Sequence, residues 1–418
     1  MAKIDLPQVE THLYINGKWL EGSEGTFEVK NPATGEILAT VQKGGEKETK
    51  EAIQAANKAF EGWSQTSPAE RAKLMNKMAD LVENDSERLA KIMTMEQGKP
   101  LSQAAAEIQT NVENLRWNAA EGQRILGDIV PSPTTNQWQA RKQPVGVVGA
   151  ITPWNFPSNM IIRKISPAIA AGCTVILKPA KATPLSALAL MELFDQAGFP
   201  EGVVNIVMGD SSTIGKILSE SDDIQKITFT GSTEVGQILN EQAAPTLKKV
   251  SMELGGHAPF IIFPDADLEL ATEMLIKTKF INNGQVCTSP NRIFIHKEIK
   301  QKATDLIMEK MKGVSVGNGL DDPTTGPLIN EEGIEKIEEQ LKDAVDKGAQ
   351  ILCGGKRLTE GEYANGFFFE PTVLDGVTKE MAIFYEETFG PVIPLITFEE
   401  EDQVIKDAND TIFGLASY

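Results

Sequence analysis

From Val145 onward, short apolar runs alternate with helical stretches, and this alternation constrains the fold more than any other feature of the chain. Val145 to Ile151, Thr174-Val175-Ile176-Leu177, Val203 to Val207 and Ile227 to Thr230 read as strands, with a helical run from Pro184 to Ala197 between the second and third. Strands that alternate with helices form a parallel sheet covered on both faces. Such sheets bind ligands at the carboxyl ends of their strands, so the turns after these runs are the first places to look for function.

Upstream, Leu13-Tyr14-Ile15-Asn16-Gly17-Lys18-Trp19 reads as a short hairpin and Asn31-Pro32-Ala33-Thr34-Gly35 as a turn. Glu46 to about Gly122 is rich in Ala, Leu, Met, Glu and Lys with few breakers, which predicts helices. Ile125 to Pro144 interrupts that pattern with prolines, a tryptophan and β-favouring residues, and is expected to form a projecting hairpin. After Glu253 a second α/β series begins, with strands expected at Phe260–Phe263, Arg292–Ile295, Gln350–Leu352 and Val392–Phe398. The expected fold class is therefore α/β, with two lobes.

A chain of 418 residues is long enough for more than one core. Its net charge of −19 argues against nucleic acid as a partner and against docking on an anionic membrane, because both need a basic face. A locally basic pocket for a phosphorylated cofactor is compatible with that charge. No apolar run is long enough to span a bilayer and residues 1–10 contain no apolar signal core, so the expected location is cytoplasmic. The 3 cysteines are scattered and include no Cys-x-x-Cys, so neither a disulfide framework nor a zinc site is expected.

Several turns carry chemistry. Ile227-Thr228-Phe229-Thr230 leads through Gly231 and Ser232 into Thr233-Glu234-Val235-Gly236, where free backbone N–H groups and the helix dipole favour a phosphate. A plain glycine turn with a Ser/Thr cap has the same pattern, and G-x-G-x-x-G is absent. Lys178-Pro179-Ala180-Lys181 places two lysines at a strand end, suited to a ribose or its phosphate or to a solvated loop. Cys287 follows the polar turn Asn282-Asn283-Gly284-Gln285, which a core strand would not choose, and a thiolate there would be a nucleophile. Cys173 and Cys353 read as small core hydrophobes. Glu253, flanked by Met252 and Leu254, is either a buried general base or a salt-bridged structural carboxylate. Asn155 is either an oxyanion donor or an ordinary turn residue.

Taken together, Thr152-Pro153-Trp154-Asn155-Phe156-Pro157, Lys178-Pro179-Ala180, Phe229-Thr230-Gly231-Ser232, Glu253-Leu254-Gly255-Gly256, Gly284-Gln285-Val286-Cys287 and Glu387-Thr388-Phe389-Gly390-Pro391 closely resemble the aldehyde dehydrogenase superfamily, in order and in spacing, over nearly the whole chain. The resemblance implies a Rossmann-type cofactor domain from residues 1–124 and 145–254, an oligomerisation hairpin at 125–144 and a catalytic domain at 255–418. It implies that Cys287 attacks an aldehyde, that the Asn155 side chain and the Cys287 N–H form an oxyanion hole, that Glu253 activates water, and that Lys164 assists proton relay. It implies cofactor contacts from Thr152, Pro153, Trp154, Lys178, Pro179, Ala180, Lys181, Phe229, Gly231, Ser232, Val235, Leu254, Glu387 and Phe389, and no metal.

Within the superfamily, Arg163 resembles the substrate-carboxylate arginine of the succinate-semialdehyde dehydrogenases. Two departures stand beside Cys287: Ile281 replaces a second carboxylate-binding arginine, and Ser289 replaces a cysteine that forms a redox switch in some members. A lactaldehyde- or glycolaldehyde-type substrate stays open, as do a cysteine esterase without redox chemistry and a truncated inactive relative. Lys181, where NAD-preferring relatives often place a glutamate, favours NADP over NAD. Family members run on well past the position of Tyr418, so the chain is expected to be a fragment or a truncated form, and a homodimer or homotetramer when the C-terminus is complete.

Overall fold

The structure, a computed structural model, describes residues 5–418. It divides into two compact units. The first holds the chain up to Val29, Ile37–Glu96 and Ala105–Glu253, and the second holds Lys30–Glu36, Gln97–Ala104 and Leu254–Tyr418. The chain thus passes between units one residue before the expected boundary at 254, and two early segments join the second unit. Hydrogen bonds account for their membership: Phe367 N–H donates to the Pro32 carbonyl at 3.0 Å, and Gln97 Nε2 donates to Asn282 Oδ1 at 2.9 Å.

The first unit begins with the expected hairpin, β1 (Leu13–Ile15) and β2 (Lys18–Leu20). A ribbon of β3 (Thr26–Lys30) and β4 (Ile37–Gln42) flanks the Asn31–Gly35 turn, although only the turn was legible in the sequence. The helical region resolves into α1 (Glu46–Trp63), α2 (Pro68–Asn84), α3 (Ser86–Gln97) and α4 (Leu101–Gly122). At α2 the boundary is explained locally: Ser67 and Glu70 form a capping box and Pro68 occupies the first turn. Next comes a hairpin of β5 (Asp128–Val130) and β6 (Trp138–Ala140), exposed at all six positions.

The alternating region then supplies β7 (Val147–Ile151), α5 (Asn159–Ala170), β8 (Thr174–Lys178), α6 (Pro184–Ala197), β9 (Val204–Ile206), α7 (Ser211–Glu220), β10 (Lys226–Thr230), α8 (Thr233–Ala243) and β11 (Lys249–Glu253). The seven-stranded sheet runs β11-β10-β7-β8-β9-β1-β2. Strands β11, β10, β7, β8 and β9 are parallel, and β1 joins β9 antiparallel. Both β7 and β8 are buried at every position, the pattern of a strand covered on both faces. From β7 the chain builds outward to β8 and β9, then returns to place β10 on the other side of β7. That reversal is a topological switch point between β7 and β10, where doubly wound sheets open a ligand crevice.

In the second unit, β12 (Ala258–Ile262), α9 (Leu268–Lys279), β13 (Pro290–His296), α10 (Lys300–Met311), α11 (Glu331–Asp346), β14 (Gln350–Cys353), the short ribbon β15 (Arg357–Leu358) and β16 (Phe368–Phe369), β17 (Thr372–Asp375), β18 (Val392–Phe398) and α12 (Glu401–Asn409) follow in order. The five-stranded sheet runs β12-β13-β18-β17-β14, with only β14 antiparallel. Alternate residues of its strands enter opposite cores. Phe294 and Ile396 pack with Ile337 and Leu341 of α11, whereas Ile293, Ile295 and Leu395 pack with Leu275 of α9 and Ile307 of α10.

Candidate active site

Strand register in the first unit collects the sequence-predicted residues at one edge of the sheet. Thr230 pairs with Glu253, Phe229 with Ile151, and Ile151 with Lys178, so four adjacent strands end together. Two backbone bonds prolong this alignment: Gly231 N–H donates to the Glu253 carbonyl and Thr152 N–H to the Lys178 carbonyl, both at 3.1 Å. The turns issuing from β7 and β10 flank the switch point. They carry Thr152, Pro153, Trp154 and Asn155 on one side, and Gly231 and Ser232 on the other, with Phe229 on β10 itself.

Ser232 caps α8, its hydroxyl accepting from Val235 N–H at 3.3 Å, and both residues are exposed. At the same edge the hydroxyls of Thr152 and Thr230 are buried and, among the described residues, have no hydrogen-bond partner. Lys178 is 4% exposed and donates to Ser211 Oγ at 2.6 Å. Burial pushes its ammonium down to about 8, with the charge of Asp210 opposing. Lys181, three residues on, is exposed, with its ammonium 5.7 Å from the centre of the Phe27 ring. Pro179 and Ala180 join these two lysines. Ligandless hydroxyls, a buried cation and an open helix N-terminus at a switch point are the donor set that a dinucleotide pyrophosphate and its ribose need, so the residues present fit such a cofactor.

Glu253 differs from its expected setting. It is exposed, because β11 is the edge strand of the sheet and Lys249, Val250 and Ser251 beside it are exposed as well. Its apolar sequence neighbours do not enclose it. Lys164 of α5 is 8% exposed and its ammonium donates to Thr228 Oγ1 at 3.2 Å. Burial pushes this lysine down to about 8, while the charge of Glu253 acts in the other direction and Lys226 and Arg163 reinforce the shift. Arg163 itself is exposed on α5.

The second unit assembles its predicted residues at the amino ends of three adjacent parallel strands. The turn before β12 holds Gly255 and Gly256, the turn before β13 holds Cys287, and the turn before β18 holds Glu387 and Phe389. Cys287 is half-buried. The segment leading to it has three consecutive left-handed residues: Asn282 at φ 49°, Asn283 at φ 56° and Gly284 at φ 74°. Asparagine is the side chain that best tolerates that region. A Cβ on Gly284 would also lie 2.2 Å from the Gly390 carbonyl oxygen.

Amide side chains hold this turn. Asn282 N–H donates to Gln103 Oε1 at 2.8 Å, Asn283 Nδ2 to the Gly326 carbonyl at 3.0 Å, and Ile329 N–H to Gln285 Oε1 at 3.0 Å. Ile281, just before the turn, is 39% exposed. Lys279, at the end of α9, is fully buried and donates to Asn291 Oδ1 at 2.8 Å, joining the two ends of the Cys287 loop. Burial pushes this lysine down to about 7, with Glu387 opposing.

Gly256 N–H donates to Glu387 Oε1 at 3.0 Å. Burial raises the Glu387 carboxyl, against that hydrogen bond and the charges of Lys336 and Lys279. His257 is 2% exposed, and burial pushes its imidazole down to about 3, so it stays neutral at physiological pH, with Nε2 donating to the Phe384 carbonyl at 2.9 Å. Leu254 opens this unit. Among the described residues there is no group of three or more His, Cys, Asp or Glu positioned for a metal, and no helix long and apolar enough to cross a membrane.

Sequence reasoning missed the buried polar residues behind these turns, Glu96, Gln97, Glu107, Asn111, Lys279 and Asn291, and the half-buried Gln103. One signal was available. Glu107 and Asn111 stand in register with the apolar stripe Ala104, Ile108, Val112 and Leu115 of α4, where only a partnered polar group is tolerated.

The sequence model of the aldehyde dehydrogenase family matches residues 19–418. Among curated relatives, an NADP(+) succinate-semialdehyde dehydrogenase from Escherichia coli (strain K12) is 46% identical over 97% of this chain and 84% of its own length. A 3-sulfolactaldehyde dehydrogenase from Pseudomonas putida is also 46% identical, over 97% of this chain and 83% of its own. Among solved structures, succinate-semialdehyde dehydrogenase from Burkholderia pseudomallei superposes with a TM-score of 0.96 at 46% identity, covering 98% of this chain and 85% of that one.

Proposed function

The chain belongs to the aldehyde dehydrogenase family, and on that premise we propose that it oxidises a short aldehyde bearing an anionic far end, succinate semialdehyde first, to the carboxylic acid with NADP. The observation that carries this reading is the placement of Cys287: a half-buried thiol at the end of a left-handed turn locked by amide side chains. A nucleophile held this way approaches a carbonyl from one direction, which is what pre-organised covalent catalysis requires.

The Cys287 thiolate adds to the aldehyde carbon, and the oxygen takes the negative charge. Hydrogen bonds from the Asn155 side chain and the Cys287 N–H stabilise that oxyanion. When bound, the nicotinamide supplies the hydride acceptor, so the thiohemiacetal becomes a thioester. Glu253, exposed and able to exchange protons with solvent, takes a proton from the water that attacks the thioester, and the acid leaves with the thiol restored. Lys164 carries protons away from Glu253: its depressed pKa leaves a neutral amine available at mildly alkaline pH.

On the cofactor side, Lys178 and Ser232 would hold phosphate or ribose oxygens, with Thr152, Pro153, Trp154, Pro179, Ala180, Phe229, Gly231, Val235, Leu254 and Phe389 lining the dinucleotide. Glu387 would hold the nicotinamide ribose. Lys181 would meet the 2′-phosphate, which is why NADP is preferred over NAD. Arg163 would face the substrate's anionic group. Exposed Leu126 and Ile129, at 72% and 80%, support self-association through the β5–β6 hairpin into a homo-oligomer.

A three-carbon anionic aldehyde is the second reading. Ile281 in place of an arginine and the similarity to the 3-sulfolactaldehyde enzyme favour it. Formation of reduced nucleotide, followed by absorbance across a panel of succinate, glutarate, lactic and neutral aldehydes with each cofactor, tests both. The highest kcat/KM is expected for succinate semialdehyde with NADP. Ester cleavage without reduced nucleotide from any aldehyde would sink the dehydrogenase reading.

A further inference from the structure

Several helices of the chain begin on their own caps. Asp210 accepts from Thr213 N–H to start α7, Ser232 from Val235 N–H to start α8, and Asp267 from Leu270 N–H to start α9. Two helices of the first unit depart from this. Among the described residues, neither Ser158 before α5 nor Thr183 before α6 makes a side-chain cap bond to its own helix. Their first N–H groups are taken instead by buried carboxylates from distant helices.

For α5 the acceptor is Glu107 of α4, 5% exposed, whose Oε1 accepts from both Ser158 N–H at 3.0 Å and Asn159 N–H at 2.8 Å. Asn111, one turn further along α4, reinforces the joint. Its Nδ2 donates to Ser158 Oγ at 2.6 Å and its Oδ1 accepts from Asn159 Nδ2 at 3.1 Å. For α6 the acceptor is Glu96 of α3, fully buried, with Leu185 N–H on Oε2 and Ser186 N–H on Oε1, both at 2.7 Å. Burial pushes the Glu96 carboxyl up to about 8, and the N–H donors oppose that shift.

A local cap and a remote cap satisfy the same N–H groups but do different things. A local cap stabilises the helix wherever it lies. A remote carboxylate also fixes where the helix begins relative to the element that carries the carboxylate. The two helices treated this way follow the turns that carry Asn155 and Lys178 to Lys181. Asn155 reaches Ser158 through Phe156 and Pro157, and the proline ring fixes one backbone angle of that short link. The Lys178 turn reaches α6 through Thr183 and Pro184.

We propose that Glu107 and Glu96 are positioning residues: Glu107 registers the Asn155 turn against α4, and Glu96 registers the lysine turn against α3. This rests on the reading of Asn155 as the oxyanion donor and of the lysine turn as a cofactor contact. Both carboxylates act through the backbone, so their removal misplaces groups without deleting any that touch substrate. A misplacement on the scale of an ångström costs about a hundredfold in rate.

The test is a crossed pair of variants measured two ways. Glu107→Ala is expected to lower kcat about ten- to a hundredfold with little change in the NADP KM. Glu96→Ala is expected to raise the NADP KM about tenfold with a smaller loss of kcat at saturation. Conservative variants sharpen the contrast. Glu107→Gln should retain most activity, since one carbonyl oxygen can accept both N–H groups. Glu96→Gln should not, because its two bonds lie on separate oxygens.

Amide hydrogen exchange reads the same joints without turnover. Glu107→Ala should accelerate exchange at 158–162 and leave 185–189 protected, and Glu96→Ala the reverse. Equal losses in both kinetic parameters, matched by a uniform rise in exchange, would mean a merely structural role and overturn the proposal. Should the wild-type chain oxidise no aldehyde, the functional reading fails alone, and the exchange pattern still decides whether each carboxylate registers its own turn.

Discussion

Gly256 lies directly against the carbonyl of Cys287: a Cβ on this glycine would sit 2.0 Å from the Cys287 oxygen. The same glycine donates its N–H to Glu387. One residue without a side chain therefore sets the separation of the nucleophile's backbone and the carboxylate proposed for the nicotinamide ribose. Gly256→Ala is expected to push Cys287 out of place, lowering kcat by at least about tenfold and costing about 1–3 kcal/mol of stability from overpacking. Steady-state kinetics and thermal unfolding check both, and a fully active, equally stable variant would show that the contact is slack.

Cys287→Ala is expected to abolish aldehyde oxidation while nucleotide binding, followed by fluorescence titration, stays within about twofold of wild type. Glu253→Gln is expected to give one burst of reduced nucleotide and then almost no steady state, because acylation proceeds and deacylation does not. Wild-type turnover in either variant would remove that residue from the mechanism.

Burial pushes the Lys164 ammonium down to about 8 from the 10.5 of an ordinary solvated lysine. The unfolded chain therefore binds more protons across that window, so this group's contribution to stability is lost as pH falls through 8 and is complete above 10.5. Denaturant unfolding at several pH values should show stability gained on raising the pH through the window, and Lys164→Met should flatten it. If Lys164 relays protons, the same variant also loses an alkaline rise in kcat centred near pH 8. A profile identical to wild type would assign the lysine no part in proton transfer.

Lys181→Glu is expected to shift the ratio of kcat/KM for NADP over NAD towards NAD by about fivefold or more, since the charge at the 2′-phosphate reverses. Phe27 stands beside this lysine's ammonium, and Phe27→Leu should produce a weaker shift in the same direction as the side chain loses its resting place. Raising the salt concentration should shrink both effects. An unchanged ratio in Lys181→Glu would place selectivity elsewhere.

The strands and their order of alternation with helices were legible because fully buried strands announce themselves as apolar runs. β7 and β8 are such strands and β18 is one but for Thr397, and their turns were found with them. The β3–β4 ribbon was not, since Thr26–Lys30 is mostly exposed and has no apolar run to mark it. The location of Cys287 was readable from the polar turn before it, but the left-handed run and its amide ties were not. Those ties come from Gln103, Gly326 and Ile329, distant in the chain and chemically ordinary. Glu253 misled for a related reason: apolar sequence neighbours imply burial only when the strand is central, and β11 is at the edge. Glu96 and Glu107 hid inside amphipathic helices, visible only as polar residues in an apolar register.

The turn that delivers Cys287 is held by backbone handedness and by amides, while Ile281, the residue immediately before it, is 39% exposed and supplies none of those amide ties. The position proposed to sort substrates and the ties that place the thiol are thus separate parts of one loop. The side chain at 281 can therefore change, and the proposed choice of aldehyde with it, while the sulfur keeps its place.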